Sequence, residues 1–264
     1  MNPTFELYVD RRSWLHSLDP RTKLLLVALG TISLMTFSSL PVVVAFLLAA
    51  HLIILSAHIP WSRIRWIWGR MLPITVLIPL LWPLFYQRGG RVLLQLWRIR
   101  VTSYSLVEGI AMALRVDALA FIGFILLLST RQAELVQGLV RLGLPFEWGL
   151  TLAIALRYLP TLYGIYVMIS EAQQARGWVV GRGNFVRRAR SYLPVLVAMI
   201  ISVLRMTDNL AMALAARGFG ARPKRTYFRE VRFRPADVIC LSLITALFIA
   251  LMVMRFRYGF GTHP

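Results

Sequence analysis

The chain has 264 residues, 58% of them hydrophobic and only 16% charged, with a mean hydropathy of +0.66. Soluble domains carry about 25% charged residues, so an ordinary water-soluble enzyme is excluded as the starting point and an integral membrane protein is expected. The 30 Lys and Arg against 11 Asp and Glu leave a formal net charge of +19; the arginines fall between apolar runs, where they set topology and meet anionic headgroups rather than nucleic acid.

The first twenty residues lack a short apolar core followed by a small-residue cleavage site, so no removable signal peptide is expected. Five segments read as membrane spans. The first runs from Leu24 to about Leu40, introduced by Leu18-Asp19-Pro20-Arg21-Thr22-Lys23. Asp19 is a good N-cap, and Pro20 suits a first helical turn, where its missing N–H costs nothing. The second span is Pro41 to Ile59, reached through a hairpin at Ser38-Ser39-Leu40-Pro41. A loop with tryptophans at headgroup depth, Trp61 to Trp68, is expected before the third span. That span, Met71 to Tyr86, holds Pro73, Pro79 and Pro83 and should be kinked. The fourth is Leu106 to Ser129, and the fifth Val238 to Met254 with Asp237 placed to cap it.

Between Thr130 and Pro235 lie two further apolar runs. One, from Thr151, is interrupted by Arg157 and Pro160; the other, from Tyr192, reaches only about a dozen residues before Arg205. A span needs about 20 residues. Arg176, Arg182, Arg187, Arg188 and Arg190 lie between them, and would face outward if both runs crossed, against the positive-inside tendency. Neither run is therefore expected to cross. The chain divides into a membrane domain of four spans over 1–130, a coupling region on the cytoplasmic side over 131–235, and a last span with its tail over 236–264. The N-terminus is then cytoplasmic, as Arg11, Arg12, Arg21 and Lys23 prefer, while Arg88, Arg91, Arg98, Arg100, Arg255 and Arg257 fall outside.

Two stretches in the middle region repeat one pattern: EAQQARGWVVGRG from Glu171 and AMALAARGFGAR from Ala211. Each runs small residues into Ala-Arg-Gly, at Ala175-Arg176-Gly177 and Ala216-Arg217-Gly218. The bland reading is a helix end, closed by a left-handed glycine with an arginine favourably placed at the negative helix terminus. Two copies on one predicted side lower the weight of that reading. A guanidinium is a planar fork that bonds carbonyls or carboxylates in two places. A pair of such forks on small-residue helices fits grooves on a partner protein.

In this setting the chain resembles the transmembrane coupling (T) component, EcfT or CbiQ-like, of energy-coupling factor transporters, ABC-type importers of vitamins and of cobalt or nickel. The resemblance begins at Leu18–Lys23 and continues through Leu114-Arg115, STRQAELVQGLVRLGLP from Ser129, and Ala155 to Leu162 with Arg157 and Pro160. It ends with the two Ala-Arg-Gly stretches, RMTDNLAMALAARGFG from Arg205, and Asp237. It implies an all-α membrane protein of about five spans with a layer of three coupling helices, the first near Gln132 to Leu142. It implies a cell-membrane location in a prokaryote. The implied partners are two ABC ATPase subunits and a membrane-embedded substrate-binding S component. Arg176 and Arg217 would each engage one ATPase, and Asp19, Pro20, Arg157, Pro160 and Asp237 would support them. No cofactor is implied.

Other polar residues receive milder readings. Glu108, Arg115 and Asp117 lie in the fourth span; intramembrane charges suggest function by default, but pairing with bundle neighbours is the favoured role for Arg115 and Asp117. His51 and His58 share a helical face without a carboxylate or third histidine, so a polar bundle contact is expected rather than a metal. Met199, Met206 and Met212 read mostly as packing. No Gly-rich phosphate loop occurs, so ATP hydrolysis is not expected in this chain. Two rivals stand beside the coupling role. A conventional ABC importer permease is echoed by Glu171-Ala172 and Gly177, but Gln173 replaces alanine and Leu193-Pro194 comes too late. A membrane-embedded enzyme would use Glu108, Asp117 and His51, yet no nucleophile, acid and metal-ligand cluster accompanies them.

Overall fold

A computed structural model describes residues 8, 9, 11, 13–86, 91–96, 99–178, 184–220 and 233–259, with backbone alone over 93–96 and 99–100. The expectations placed on Arg12, Arg88, Arg98 and Arg182 lie outside the described residues. The described elements are α1 (Trp14–Ser17), α2 (Pro20–Thr36), α3 (Leu40–Ser56), α4 (Trp61–Phe85), β1 (Val92–Leu96), β2 (Ile99–Thr102) and α5 (Ser103–Ser129). They continue with α6 (Gln132–Arg141), α7 (Phe146–Ala175), α8 (Phe185–Ser191), α9 (Leu193–Ala216) and α10 (Pro235–Tyr258). The class is an all-α integral membrane protein; β1 and β2 form a small antiparallel ribbon between two long helices, pairing Leu94 with Val101 and Leu96 with Ile99.

The chain forms two compact units, one holding α1 to α6 with α10, the other α7 (from Glu147), α8 and α9. In the first, α5 is the central helix and packs on α2, α3 and α4. Its inward residues Phe121, Ile125 and Leu128 join Leu15, Ile54, Ile64 and Ile67 in one core, while Ala118 and Ile122 join Leu34 and Val43 in a second. These side chains recur three or four residues apart along α5, the spacing of one helical face. The second unit has almost no core of its own. Along α7 only Gly149 and Ser170 are buried, and along α9 only Val195. Leu193, Leu196, Val197, Ile200, Ile201 and Leu204 instead form an exposed apolar stripe down one side of α9. A continuous apolar face of this extent requires lipid or a partner.

Five helical segments are long and apolar enough to cross a membrane: α4, α5, α7, the α8–α9 run and α10. Only α4, α5 and α10 were expected among them. The run from Thr151 is not interrupted: α7 continues through Arg157 and Pro160 for 30 residues. A proline removes one hydrogen bond and kinks a helix but need not end it when both flanks favour helix. Likewise α9 does not stop at Arg205 but runs 24 residues to Ala216, because Arg, Met, Leu and Ala are strong helix formers. The length argument against crossing therefore fails for both helices, and only the arginine distribution still opposes it. The opposite correction applies at the other end: α2 and α3 have 17 residues each, about 25 Å at about 1.5 Å per residue, short of a hydrocarbon core of about 30 Å. The expected loop from Trp61 to Trp68 is also helical, forming the first turns of the 25-residue α4, which keeps Pro73, Pro79 and Pro83 inside it.

Candidate functional site

The two Ala-Arg-Gly stretches fold into the same local structure. At the end of α7, Gly177 has φ +81°; its N–H donates to Gln174 O at 2.9 Å, and the N–H of Trp178 reaches Gln173 O at 3.0 Å. At the end of α9, Gly218 has φ +73°; its N–H donates to Ala215 O at 2.9 Å, and that of Phe219 reaches Leu214 O at 3.0 Å. This pair of nested bonds is the Schellman closure of a helix C-terminus. Arginine stands at the same place in each, the last residue before the left-handed glycine, and an aromatic residue follows. No atom crowds the missing Cβ of Gly177, so glycine is needed there for its positive φ and not for space.

The backbone closure leaves the arginine side chains unemployed. The N–H groups of Arg176 and Arg217 bond back into their own helices, to Ala172 and Gln173 and to Ala213 and Leu214. Both side chains are exposed. Among the described residues, no ion pair, hydrogen bond or aromatic ring engages either guanidinium. The bland account of these motifs is thus correct for the glycines and silent on the forks.

A third helix closes in the same way. At the end of α6 the N–H of Gly143 (φ +117°) donates to Val140 O and that of Leu144 to Leu139 O. Leu142 occupies the position held by arginine in the other two. The helix itself, Gln132–Arg141, matches the expected first coupling helix to within a residue.

Asp19, Pro20 and Asp237 form a buried junction. Asp19 caps α2, its carboxylate accepting from Arg21 N–H at 2.9 Å with the Arg21 guanidinium 3.8 Å away. The N–H of Asp19 in turn donates to Asp237 Oδ1 at 2.7 Å, which also accepts from Thr22 Oγ1 at 3.3 Å. The other Asp237 oxygen accepts from Arg234 N–H at 2.8 Å, closing the first turn of α10. Asp237, 1% exposed, thereby pins the starts of α2 and α10 together. Pro20 then meets α6: a Cβ at Gly138 would lie 3.1 Å from Pro20 Cβ and 3.3 Å from Leu24 Cδ1. Glycine at 138 is what lets α6 rest on the first turn of α2.

Sequence reasoning missed Lys23 at this junction. The residue is 3% exposed, and its ammonium donates to Ser129 O at 2.9 Å, capping the last turn of α5 just before α6 begins. Burial lowers its pKa to about 8, against the opposing pull of Glu134, Asp237 and Asp19. The only available signal was one of two lysines in an arginine-rich chain. Arg157 and Pro160, named above as support for the tips, both lie exposed along α7, four turns or more before its arginine end.

The remaining polar residues take bundle roles. His51 Nδ1 bonds Leu47 O at 2.8 Å and its Nε2 accepts from Trp68 Nε1–H at 3.1 Å, with the ring against Phe121. Arg115 donates to Phe37 O at 2.6 Å, and Asp117, fully buried, bonds Thr75 Oγ1 at 2.9 Å. No group of three metal-binding side chains occurs among the described residues.

Comparison with known proteins follows the same line. Residues 11–228 match the family described as CbiQ, cobalt transport protein. Curated relatives match nearly end to end. The energy-coupling factor transporter transmembrane protein EcfT of Listeria innocua is 33% identical, covering 93% of this chain and 95% of its own. Those of Streptococcus equi and Staphylococcus aureus are each 31% identical over 94% of this chain, and 95% and 96% of theirs.

Proposed function

We propose a coupling role on one premise: the chain belongs to the CbiQ and EcfT family, the transmembrane components of energy-coupling factor transporters. It is accordingly a multi-pass membrane protein of a transporter. Within that role, Arg176 and Arg217 insert into grooves on two ATPase subunits, one fork to each. ATP-driven closure of the ATPase pair moves α7 and α9, and this motion reorients a substrate-binding S component that carries a vitamin or a transition-metal ion inward. ATP is hydrolysed by the partners. The N-terminus, α6 and both arginine tips lie on the cytoplasmic side.

The observation that carries this reading is the pair of helix ends closed by the same nested bonds, whose guanidinium forks have no partner among the described residues. A protein that needed these arginines only for its own helix ends would leave one of them paired or replaceable; here both stand exposed where a partner can take them in two-pronged bonds. The apolar stripe on α9 supplies a second surface suited to a membrane-embedded partner. The junction of Asp19, Pro20, Lys23 and Asp237 holds α6 against the start of α2, a rigid base from which motion can be passed on.

The direct experiment is to purify the chain from its native membrane. Recovery of two ATPase subunits and one small membrane protein per chain is the expected result. Isolation of the chain alone, active on a substrate, would instead support a membrane-embedded enzyme. Cysteines placed at Arg141 and Arg188 should be labelled only from the cytoplasmic side; labelling of the Arg188 position from outside would show that α7 and the α8–α9 run do not both stay on that side.

A further inference from the structure

Helix α8 does not belong to either arginine tip, yet it is the most densely basic element of the described chain. Phe185-Val186-Arg187-Arg188-Ala189-Arg190-Ser191 carries three arginines and no acid. Every residue from Asn184 to Arg190 is exposed, and Ser191 alone is buried. At about 100° per residue, the side of the helix opposite Ser191 presents Phe185, Ala189 and Val186, flanked by Arg188 and Arg190. Phe185 is 87% exposed and Val186 65%.

The element is also fixed in place. The indole N–H of Trp178 donates to Ser191 O at 2.8 Å, and Ser191 Oγ donates to Arg188 O at 2.7 Å. Among the described residues no carboxylate pairs with Arg187, Arg188 or Arg190. A short helix that exposes a phenylalanine and a valine between arginines has the composition of a membrane-surface element: the apolar face enters the headgroup boundary while the guanidinium groups meet lipid phosphates. Each basic residue at an anionic surface adds to binding, and the attraction decays within a Debye length.

We propose that α8 is a contact site for anionic phospholipid headgroups, with Phe185 and Val186 at the headgroup boundary and the flanking Arg188 and Arg190 on the phosphates. The proposal goes beyond the ATPase-coupling reading and needs none of its partners. A protein groove would also accept arginines, but it would have to cover an aromatic side chain that is 87% exposed, whereas the bilayer of an integral membrane protein is always within reach.

The test uses the full chain with Cys240→Ala and a single fluorophore-labelled Phe185→Cys, reconstituted in nanodiscs of phosphatidylcholine alone or mixed with phosphatidylglycerol. Headgroup spin-labelled lipid serves as quencher. Strong quenching in the phosphatidylglycerol discs, several-fold weaker in phosphatidylcholine and weakened again by high salt, is the expected result. Arg188→Gln and Arg190→Gln together should abolish the lipid dependence at unchanged melting temperature; the corresponding lysine variants, which keep the charge, should preserve it. Equal quenching in both lipids, or loss in the lysine variants, overturns the proposal. So does a label that becomes protected only when ATPase subunits are added and is indifferent to lipid, which would make α8 a protein-docking surface.

Discussion

The Asp19–Asp237 junction and the two arginine tips use charged residues to opposite ends. At the junction, charged groups are buried and bonded to the chain: Asp237 accepts three bonds, Lys23 caps Ser129, and Pro20 fills the space left by Gly138. At the tips the backbone is closed just as carefully, but the charged side chains are left over. A buried charge that breaks its bonds costs the chain stability; an exposed arginine with no bonds costs it nothing to lose. What a substitution damages should therefore separate the regions: folding at the junction, partnership at the tips.

The sharpest break of that contrast comes at the arginines. Arg176→Ala or Arg217→Ala should weaken the ATPase contact by about 2–5 kcal/mol, the cost of leaving the partner's groove unpaired in a desolvated contact. Transport should fall at least tenfold for each, and the double variant should lose the ATPases on purification, while the melting temperature stays put because surface changes cost within about 0.5 kcal/mol. Lysine should rescue poorly, since it keeps the charge and loses the fork. If Arg176→Lys and Arg217→Lys both transport normally with ATPases bound, the forks are not the contact and the tips are helix ends only.

Asp237→Ala should do the reverse. It strands the N–H groups of Asp19 and Arg234 and the Thr22 hydroxyl in a buried site, costing about 1–3 kcal/mol of folding stability. Thermal unfolding of the isolated chain is the readout. A variant with unchanged melting temperature but no transport would move Asp237 from the frame to the coupling machinery.

Gly177→Ala and Gly218→Ala test the backbone between these extremes. Left-handed φ costs a non-glycine residue about 1–2 kcal/mol, enough to loosen the final turn and displace the neighbouring arginine. Transport should fall several-fold, less than for loss of the arginine itself. Hydrogen exchange at the N–H groups of Trp178 and Phe219, which close the two turns, should quicken in the same variants. Unchanged exchange would mean that the closure tolerates alanine and that the glycine serves another purpose.

How much of this could be read beforehand follows from the range over which each feature is encoded. The cap at Asp19-Pro20, helix α6 and both arginine tips are written within a few consecutive residues, as cap chemistry and left-handed glycine, and they appear where the sequence placed them. The true lengths of α7 and α9 were hidden because Pro160 and Arg205 look like interruptions, whereas propensity over the whole run carries the helix past them. The early start of α4 at Trp61 was hidden by reading interfacial tryptophan and arginine as loop. Contacts such as Lys23 to Ser129, 106 residues apart, or Gly138 on Pro20 leave no local trace at all. They exist only once the helices have packed.

The smallest effect is the most discriminating, because it concerns the third tip. Helix α6 closes with the same nested bonds as α7 and α9, yet Leu142 stands where they carry arginine, in an ordinary right-handed conformation and half exposed. If the closure itself were the coupling element, the three ends would be equivalent and trimming any of them would matter alike. If the forks matter, Leu142→Ala should cost within about 0.5 kcal/mol of stability and leave transport and ATPase retention at the parent level. Transport by Leu142→Ala, measured beside Arg176→Ala and Arg217→Ala, decides between the two. A loss comparable to either arginine variant would mean that helix ends of this shape couple through their apolar surface, and that the guanidinium is incidental to two of the three.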